Sequence, residues 1–450
     1  MPLAACGGGG GAGNSPPIEP TPVFVQARIN VVELGGACTD PSWDCLRVGG
    51  LFIDEAAEVT VFWHERAPSG QPGWHVASHL HNDTRMRNAA YVSADLDSDL
   101  QPLQLGARRF AAVQRNTPNW TSALVDLSMP APNVSPRVAT PVTGQDAALI
   151  SGLDGPIALG ANVPNGSFSL GGSATARGVK VALPQGYLNR WWGVFMPATG
   201  VTPSVWWAFN SAQVDSTQEQ RLHLARIDVS DGSVLDVHRV TKEAWSQSSI
   251  PDCSTLGGAP VLVREYGRGQ VAVGWRNVNA PWTGCDVVVD GQIMNDSTAH
   301  VVEGPVMSGS DAGLVAVWSE TDLAGDPAPP RRIVWRRWDA STAQWTAPAR
   351  LNSQPFAWLH SSAIGPGGTL AVAWQGCAST SVGACTEYVS KYVDGQWRTE
   401  QYLPRGKGVA WPQVAINAKA QAVVVWASIS DAPCSTNPEQ VCPGIFAYRF

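Results

Sequence analysis

Short apolar runs recur along the chain, and each ends on a tryptophan. The clearest occupy residues 58–63, 270–275, 314–318, 369–374 and 421–426, and end on Trp63, Trp275, Trp318, Trp374 and Trp426. The runs are almost continuously apolar, so both faces of each strand must be buried. This pattern predicts strands that lie sandwiched between two neighbouring sheets.

Weaker copies of the run occupy residues 109–114, 156–161 and 202–207, with Gln114 and Ala161 at the tryptophan position. All copies together lie 43 to 68 residues apart. A repeat of roughly 40 to 60 residues made of strands and turns is typical of a β-propeller with four-stranded blades. We therefore predict an all-β fold, a single β-propeller of about eight blades, or of seven if residues 140–187 are an insertion.

Two local patterns complete the predicted blades. Asp-Gly pairs at 231–232, 290–291 and 394–395 favour type I′ hairpins between third and fourth strands. Residues 444–450 are predicted to form a third strand, and residues 27–30 (Ala-Arg-Ile-Asn) match the fourth-strand sequence at 349–352 (Ala-Arg-Leu-Asn). We expect residues 23–33 to supply the last blade's fourth strand, which closes the ring and makes 23–450 one domain.

Composition narrows the function classes. The chain has 45 Gly, 34 Pro and only 15% charged residues, which agrees with many turns and few surface helices. Its net charge of -7 is not gathered into acidic or basic blocks, which argues against a nucleic-acid partner. We predict a monomer with no cofactor and no metal.

The first residues carry a processing signal. Leu3-Ala4-Ala5-Cys6 resembles the lipobox of bacterial lipoproteins, which implies lipidation of Cys6 and attachment to a membrane. Residues 7–22 are rich in Gly and Pro and would form a flexible tether. Gly7 is not the aspartate of inner-membrane retention, so the resemblance implies the outer membrane, with the domain in the periplasm or at the cell surface.

The signal peptide of such a precursor would lie largely upstream of the printed start. Only four residues separate Met1 from Cys6, too few for the basic and apolar segments of a signal peptide. The alternative is that the tetrapeptide is a chance match in a terminal tail.

The remaining cysteines form an even set of eight, which also indicates export, because disulfides persist in oxidising compartments. We predict the pairs Cys38–Cys45, Cys253–Cys285, Cys377–Cys385 and Cys434–Cys442. Other connectivities are open. Zinc is the alternative, but the sequence has no Cys-x-x-Cys spacing.

Loop lengths indicate which side of the ring binds. The predicted first-to-second turns are short, with no room for a site, whereas second-to-third and blade-to-blade connections are long and contain all paired cysteines. Long loops on a rigid scaffold commonly carry function. We predict binding of a glycan, peptide or protein on this disulfide-stapled side, with candidate residues Glu65, Arg66, Arg115, Arg276, Glu320, Trp43 and Trp282. The alternative is that the polar residues among them only solvate strand ends.

An enzymatic function is the alternative to binding. The repeat resembles sialidase-type propellers in outline, although it lacks their Asp-box, Ser-x-Asp-x-Gly-x-x-Trp, and it resembles in outline the eight-bladed lipoprotein of outer-membrane barrel assembly without that family's docking repeats. A carbohydrate-active hydrolase or lyase could use Glu65 or Glu320 with nearby arginines. His79 and His81 share one strand face, either as metal ligands or as exposed outer-strand residues.

The lipobox predicts the cellular address. Full-length precursor expressed in bacteria should partition into detergent and incorporate labelled fatty acid. Cys6→Ser should be released as soluble periplasmic protein, because the acyl acceptor is gone. Equal labelling of both proteins would contradict lipidation at Cys6.

Overall fold

The computed structural model describes most of the repeat region. Described residues are 27–29, 46–65, 73–79, 87–93, 100–106, 108–116, 119–143, 146–152, 155–162, 167–171, 179–182, 187–189, 194–197, 204–213, 220–228, 233–240, 260–266, 270–278, 285–310, 313–322, 330–379, 385–402, 407–433 and 441–450. They form an all-β propeller with one short 3-10 helix at Pro366–Gly368. Among them no helix is long and apolar enough to cross a membrane.

The N-terminal half of the described chain forms four antiparallel sheets in chain order. The first contains β2 (Leu46–Ile53), β3 (Val59–Glu65), β4 (Gly73–His79) and β5 (Arg87–Ser93), after the short strand β1 (Ala27–Ile29). The second contains β6 (Leu100–Gly106), β7 (Arg109–Asn116), β8 (Asn119–Asp126), β9 (Asn133–Val134) and β10 (Val138–Thr143). The third contains β11 (Asp146–Gly152), β12 (Gly155–Asn162), β13 (Ser167–Gly171) and β14 (Val179–Ala182). The fourth contains β15 (Tyr187–Asn189), β16 (Val194–Pro197), β17 (Ser204–Gln213), β18 (Gln220–Asp228) and β19 (Val234–Arg239).

The C-terminal half continues the pattern. One sheet contains β20 (Pro260–Tyr266), β21 (Gln270–Val278), β22 (Cys285–Val289) and β23 (Gln292–Ile293). A nine-stranded sheet contains β24 (Ala299–Ser310), β25 (Gly313–Asp322), β26 (Arg331–Asp339), β27 (Gln344–Trp345), β28 (Ala349–Arg350), β29 (Phe356–Ile364), β30 (Leu370–Cys377), β31 (Cys385–Val393) and β32 (Gln396–Tyr402). The last sheet contains β33 (Lys407–Ile416), β34 (Ala422–Pro433), β35 (Val441–Arg449) and β1.

The innermost strands meet in a closed ring. The innermost strands are β2, β6, β11, β16, β20, β24, β29 and β33. Each of them pairs with the next strand along the chain, which we call the second strand. Every innermost strand contacts the next one along the chain, and β33 contacts β2. Because each sheet then runs outward through antiparallel neighbours, its connections leave on alternating sides. The turn side carries first-to-second and third-to-fourth connections, and the loop side carries the others.

The apolar second strands are buried on both faces, as their sequence predicts. In β25, Trp318 packs against the sheet before it together with Leu314 and Ala316. Val315 and Val317, which point the other way, pack against β29–β31. Alternate residues of one strand thus fill two different interfaces, which explains why the run has no polar face.

A bulge in the innermost strand accompanies the terminal tryptophan of five second strands. Pairing slips by one residue beside Trp63, Trp275, Trp318, Trp374 and Trp426, and β24 and β33 each carry a second one-residue slip nearer their starts. The pairing stays regular beside Gln114 and Ala161, which replace the tryptophan in β7 and β12, and also beside the buried Trp207 of β17. Bulges bend a strand and increase its twist. These five innermost strands therefore bend beside the buried indole ring of the second strand.

The predicted terminal pairing and hairpins agree with the structure where it describes them. Ala27, Arg28 and Ile29 pair with Ala447, Phe446 and Ile445 of β35, as the match of residues 27–30 to 349–352 predicts. Asp290 and Gly291 have φ of 48° and 81°, and Asp394 and Gly395 have φ of 51° and 80°, as type I′ turns require. The pair at 231–232 lies outside the described residues.

The buried terminal tryptophans should contribute strongly to the free energy of unfolding. Trp374 is 1% exposed, packs in the interface between β24–β28 and β29–β32, and donates a 2.9 Å hydrogen bond from Nε1 to Ser390 Oγ. Trp374→Ala should lower the free energy of unfolding by about 3–5 kcal/mol, measured by urea denaturation. Leu235→Ala, at a side chain that is 48% exposed on β19, is the control and should cost less than about 1 kcal/mol. Similar losses from both would contradict the role given to the indole.

Candidate functional site

Charged and aromatic side chains gather on the loop side of β24–β26 and β29–β31. We call this set the Glu387 cluster; it comprises Glu303, Arg331, Phe356, Trp358, His360, Gln375 and Glu387. Arg331, Phe356, Trp358 and Glu387 lie near the starts of their strands, and Gln375 lies near the end of β30, so they share the side on which the long connections leave. Glu303 and His360 lie further along β24 and β29 and reach this set through their side chains.

The β30–β31 ladder positions Glu387. Cys377 and Cys385 pair across this ladder and form a disulfide, and two residues further along, Gln375 pairs with Glu387. Gln375 Nε2 donates a 2.7 Å hydrogen bond to Glu387 Oε1. Glu387 Oε2 is buried and accepts no hydrogen bond from the residues that the structure describes. Burial therefore raises the pKa of Glu387 to about 7, although the Gln375 bond opposes the shift.

His360 approaches the same carboxylate from the innermost strand. The β29–β30 pairing slips between Leu359 and Ser361, so His360 is the bulged residue opposite the seated Trp374. Its Nε2 lies 3.7 Å from Glu387 Oε2, and its side chain is 30% exposed. Partial burial, assisted by the positive charge of Arg331, lowers the pKa of His360 to about 4. At neutral pH the imidazole is uncharged.

Arg331 joins the two halves of the nine-stranded sheet. Its guanidinium lies 2.6 Å from Glu303 Oε1, donates a 3.1 Å bond to Ser319 Oγ and lies 5.7 Å from the ring centre of Trp358. Glu303 Oε2 accepts a 3.0 Å hydrogen bond from the backbone N–H of Leu359. One glutamate therefore connects the innermost strands β24 and β29 and holds the arginine beside an aromatic ring.

The cluster offers several complementary hydrogen-bonding groups. Near neutral pH, Glu387 exists in both protonation states, while neutral His360 can accept or donate a proton. The rings of Phe356 and Trp358 lie nearly parallel, with centres 6.4 Å apart, and both residues are partly exposed. Such a set can bind hydroxyl groups and cover an apolar ring face, and it can also transfer a proton. Within the described ranges, no group of three or more His, Cys, Asp and Glu residues could hold a metal ion.

Two of the sequence-predicted site residues are held by neighbours in the sheets. Glu320 is buried, and its carboxylate accepts bonds of 2.6 Å from Trp318 Nε1 and 2.8 Å from Arg332 Nε. Arg276 donates a 2.7 Å bond to the backbone carbonyl of Val302 in the innermost strand of the next sheet. Both residues lie near the loop side, where the sequence predicts them, and they connect strands there.

The side chains of the remaining predicted site residues lie outside the described part of the chain. Glu65 ends β3 and Arg115 lies in β7, but their side chains are outside the described part. Arg66, Trp43, Trp282, His81 and Cys6 also lie outside it. The predicted grouping of these arginines and glutamates therefore stays a prediction.

One predicted disulfide is confirmed in full. Cys377 and Cys385 are bonded, and Cys285 is also disulfide-bonded; its predicted partner, Cys253, lies outside the described residues. Cys442 lies in β35, whereas Cys38, Cys45 and Cys434 are outside the described ranges. The predicted pairings of these cysteines stay predictions.

Sequence reasoning missed most of the Glu387 cluster. Gln375 directly follows Trp374 at the end of an apolar run, and its partner Glu387 lies on the next strand. A signal was available, because counting two residues inward from the predicted Cys377–Cys385 pair places Glu387 opposite Gln375. No comparable local pattern indicates Glu303 or Arg331, which meet across two different strands.

Comparisons with known proteins identify fold neighbours and no family. No family model matches the chain, and no curated protein sequence matches it. The chain is similar in fold to the Dos1 propeller (10% identity, TM-score 0.46, 89% of this chain and 92% of that chain) and to an oligogalacturonate lyase in complex with manganese (10%, 0.42, 90% and 96%). It is also similar to oligopeptidase B from Leishmania major (9%, 0.47, 86% of this chain and 54% of that chain). At these identities the likeness concerns fold alone.

The opposite pKa shifts predict opposite effects of pH on stability. Because the pKa of Glu387 is raised from 4.5 to about 7 on folding, its contribution to the free energy of unfolding falls as pH rises through that interval. Glu387→Gln should therefore gain about 3 kcal/mol relative to wild type between pH 4.5 and 7.5, measured by urea denaturation.

His360→Gln is the matched variant with the opposite sign. The pKa of His360 falls from 6.5 to about 4, so its contribution is present above pH 6.5 and is lost on acidification. This variant should lose less stability than wild type between pH 6.5 and 4. Parallel pH profiles for wild type and both variants would contradict the shifts.

Proposed function

We propose that this chain is a lipid-anchored, extracytoplasmic propeller that binds a glycan on its loop side through the Glu387 cluster. The observation that carries the proposal is the convergence of Glu387, His360 and Arg331 beside the partly exposed rings of Phe356 and Trp358. Rigid strands hold these groups, and the Cys377–Cys385 disulfide closes the connection next to them. A preformed set of this kind loses little entropy on binding.

We further propose that the sheets are eight blades of one ring. The nine-stranded sheet supports this count, because a single residue pair, Arg331 with Phe356, joins its two antiparallel halves. Each half begins with its own innermost strand. Residues 146–182, within the region that the sequence leaves open as an insertion, form a four-stranded sheet with an innermost strand in the ring. Pairing of β1 with β35 supports closure by the N-terminal strand.

A glycan fits this site better than the other predicted partners, a peptide or a protein. Sugars present many hydroxyls, which need donors and acceptors close together, and they also present apolar ring faces. Near neutral pH, the uncharged His360 and the partly protonated Glu387 supply donors and acceptors 3.7 Å apart, and the aromatic pair supplies the apolar surface. A protein partner would require a larger exposed apolar area than these two rings.

The proposed address is the outer membrane, in the periplasm or at the cell surface. Its supports are the lipobox at Cys6, the tether at residues 7–22 and the Cys377–Cys385 disulfide, which is typical of oxidising compartments.

Carbohydrate cleavage by a hydrolase or lyase is the second candidate function. The specific observation in its favour is a carboxyl with pKa near 7 placed 3.7 Å from a neutral imidazole, because groups with opposite pKa shifts are typical of acid–base pairs. Glu387 would then donate the proton. Incubating a bound glycan with wild type should release product, and Glu387→Gln should release none; intact glycan in both reactions would leave binding as the function.

Binding can be tested on a glycan array with purified protein at pH 6 and pH 8. If the protonated Glu387 carboxyl donates to a sugar, wild type should bind up to about 10-fold more tightly at pH 6 than at pH 8, the ratio of the protonated fractions for a pKa near 7. Glu387→Gln keeps a donor at both pH values, so its affinity should not change with pH.

Matched tryptophan variants locate the site. Trp358→Ala should weaken glycan binding at least about 10-fold. Trp345→Ala, a half-buried tryptophan on the outer strand β27, should leave it unchanged. Retention of a peptide or protein but no glycan would overturn the proposed ligand class, and equal binding by the two variants would overturn the proposed site.

A further inference from the structure

The turn side contains a cavity at the centre of the ring. It has a volume of about 670 Å³ and is lined by the ends of four consecutive innermost strands, β29, β33, β2 and β6. These strands run from the loop side to the turn side, so the cavity lies at the opposite end of the ring from the Glu387 cluster. Its volume is within the range of small-molecule sites, roughly 300–1,000 Å³.

The cavity wall is mainly aliphatic. Its lining residues include Leu51, Ile53, Ala363, Ile364, Val414 and Ile416. Leu51, Ala363 and Ile364 are only partly buried, which leaves part of their apolar surface available to a ligand. Filling this space with an apolar group would remove that surface from water.

The rim is fixed by hydrogen bonds between neighbouring turns. Asn417 Nδ2 donates to the backbone carbonyl of Asp54 at 2.7 Å, and Ala418 N donates to Glu55 Oε1 at 3.1 Å. Lys419 Nζ donates to the backbone carbonyl of Glu55 at 2.6 Å. The turns of the last and first sheets therefore hold each other, and the cavity exists before any ligand arrives.

The charged groups that line the cavity are both acidic. They are Asp54, whose Oδ1 accepts bonds from the backbone of Ala56 and Glu58, and the exposed Glu55. Lys419 bonds to the Glu55 backbone carbonyl. Arg449 Nη1 bonds to the Ala57 carbonyl at 2.6 Å, and its positive charge acts on Asp54, so the exposed Glu55 is the main source of negative charge at the rim. Neither cation lines the cavity. A ligand with a positive group at the rim complements this arrangement, and an anion does not.

We propose that the turn-side cavity binds a small hydrophobic amine, with its apolar body against the aliphatic wall and its ammonium group beside Glu55. The aliphatic wall binds the apolar part of the ligand by removing it from water, and the acidic rim attracts the ammonium group. This site is independent of glycan binding on the loop side.

Three matched probes test the ligand class: 1-naphthylmethylammonium, neutral 1-naphthylmethanol and anionic 1-naphthoate, titrated by calorimetry. The ammonium probe should bind with a 1:1 stoichiometry and a Kd below about 1 mM, at least about 10-fold more tightly than the anion. Glu55→Gln should reduce the preference for the cation over the neutral probe, because the amide can keep the bond from Ala418 without the charge. No binding, or equal affinity for all three probes, would overturn the proposal.

Gly106 offers a way to fill the cavity. It lines the space, and a Cβ at this position would meet no heavy atom within 4 Å, so a larger side chain can enter. Gly106→Phe should weaken the ammonium probe at least about 10-fold, whereas Gly106→Ala should change it less than about 3-fold. Trp358→Ala, at the other end of the ring, should leave amine binding unchanged. Undiminished binding to Gly106→Phe would show that the amine binds elsewhere.

Discussion

The burial of a tryptophan at the end of five apolar second strands constrains much of this propeller. Trp63, Trp275, Trp318, Trp374 and Trp426 are each at most 3% exposed, and each fills the interface with the preceding sheet. Opposite every one of them the innermost strand carries a bulge. Burial of so large a ring stabilises the sheet interface, and the innermost strand takes up extra residues beside it.

This constraint also shapes the candidate site. His360 is itself a bulged residue, and Glu303 stands next to the bulge of its own strand, at Gly304-Pro305. A bulge redirects side chains that a regular strand would point into an interface. Glu303 and His360 therefore face the loop side at the points where the innermost strands bulge beside an indole ring.

The two ends of the ring differ in chemistry for a structural reason. Short hydrogen-bonded turns tie neighbouring sheets together on the turn side, but the innermost strands still leave an apolar space between their ends. Sequence reasoning expected no room for a site there, because it considered turn length alone. The space comes from the spacing of strands around the ring.

The sequence by itself determined the repeating strands, the burial of the tryptophans, the Asp290-Gly291 and Asp394-Gly395 turns, the pairing of residues 27–29 and the Cys377–Cys385 bond. These features follow from periodicity, from turn chemistry and from cysteines close in sequence. Only the tertiary structure decided that Glu320 bonds within its own sheet and that Arg276 bonds to the next sheet. It also decided that Glu303 contacts Leu359, 56 residues further along the chain, and that His360 lies beside Glu387. Contacts between sheets depend on the bend and spacing of the innermost strands, which no local pattern records, and the same is true of the central cavity.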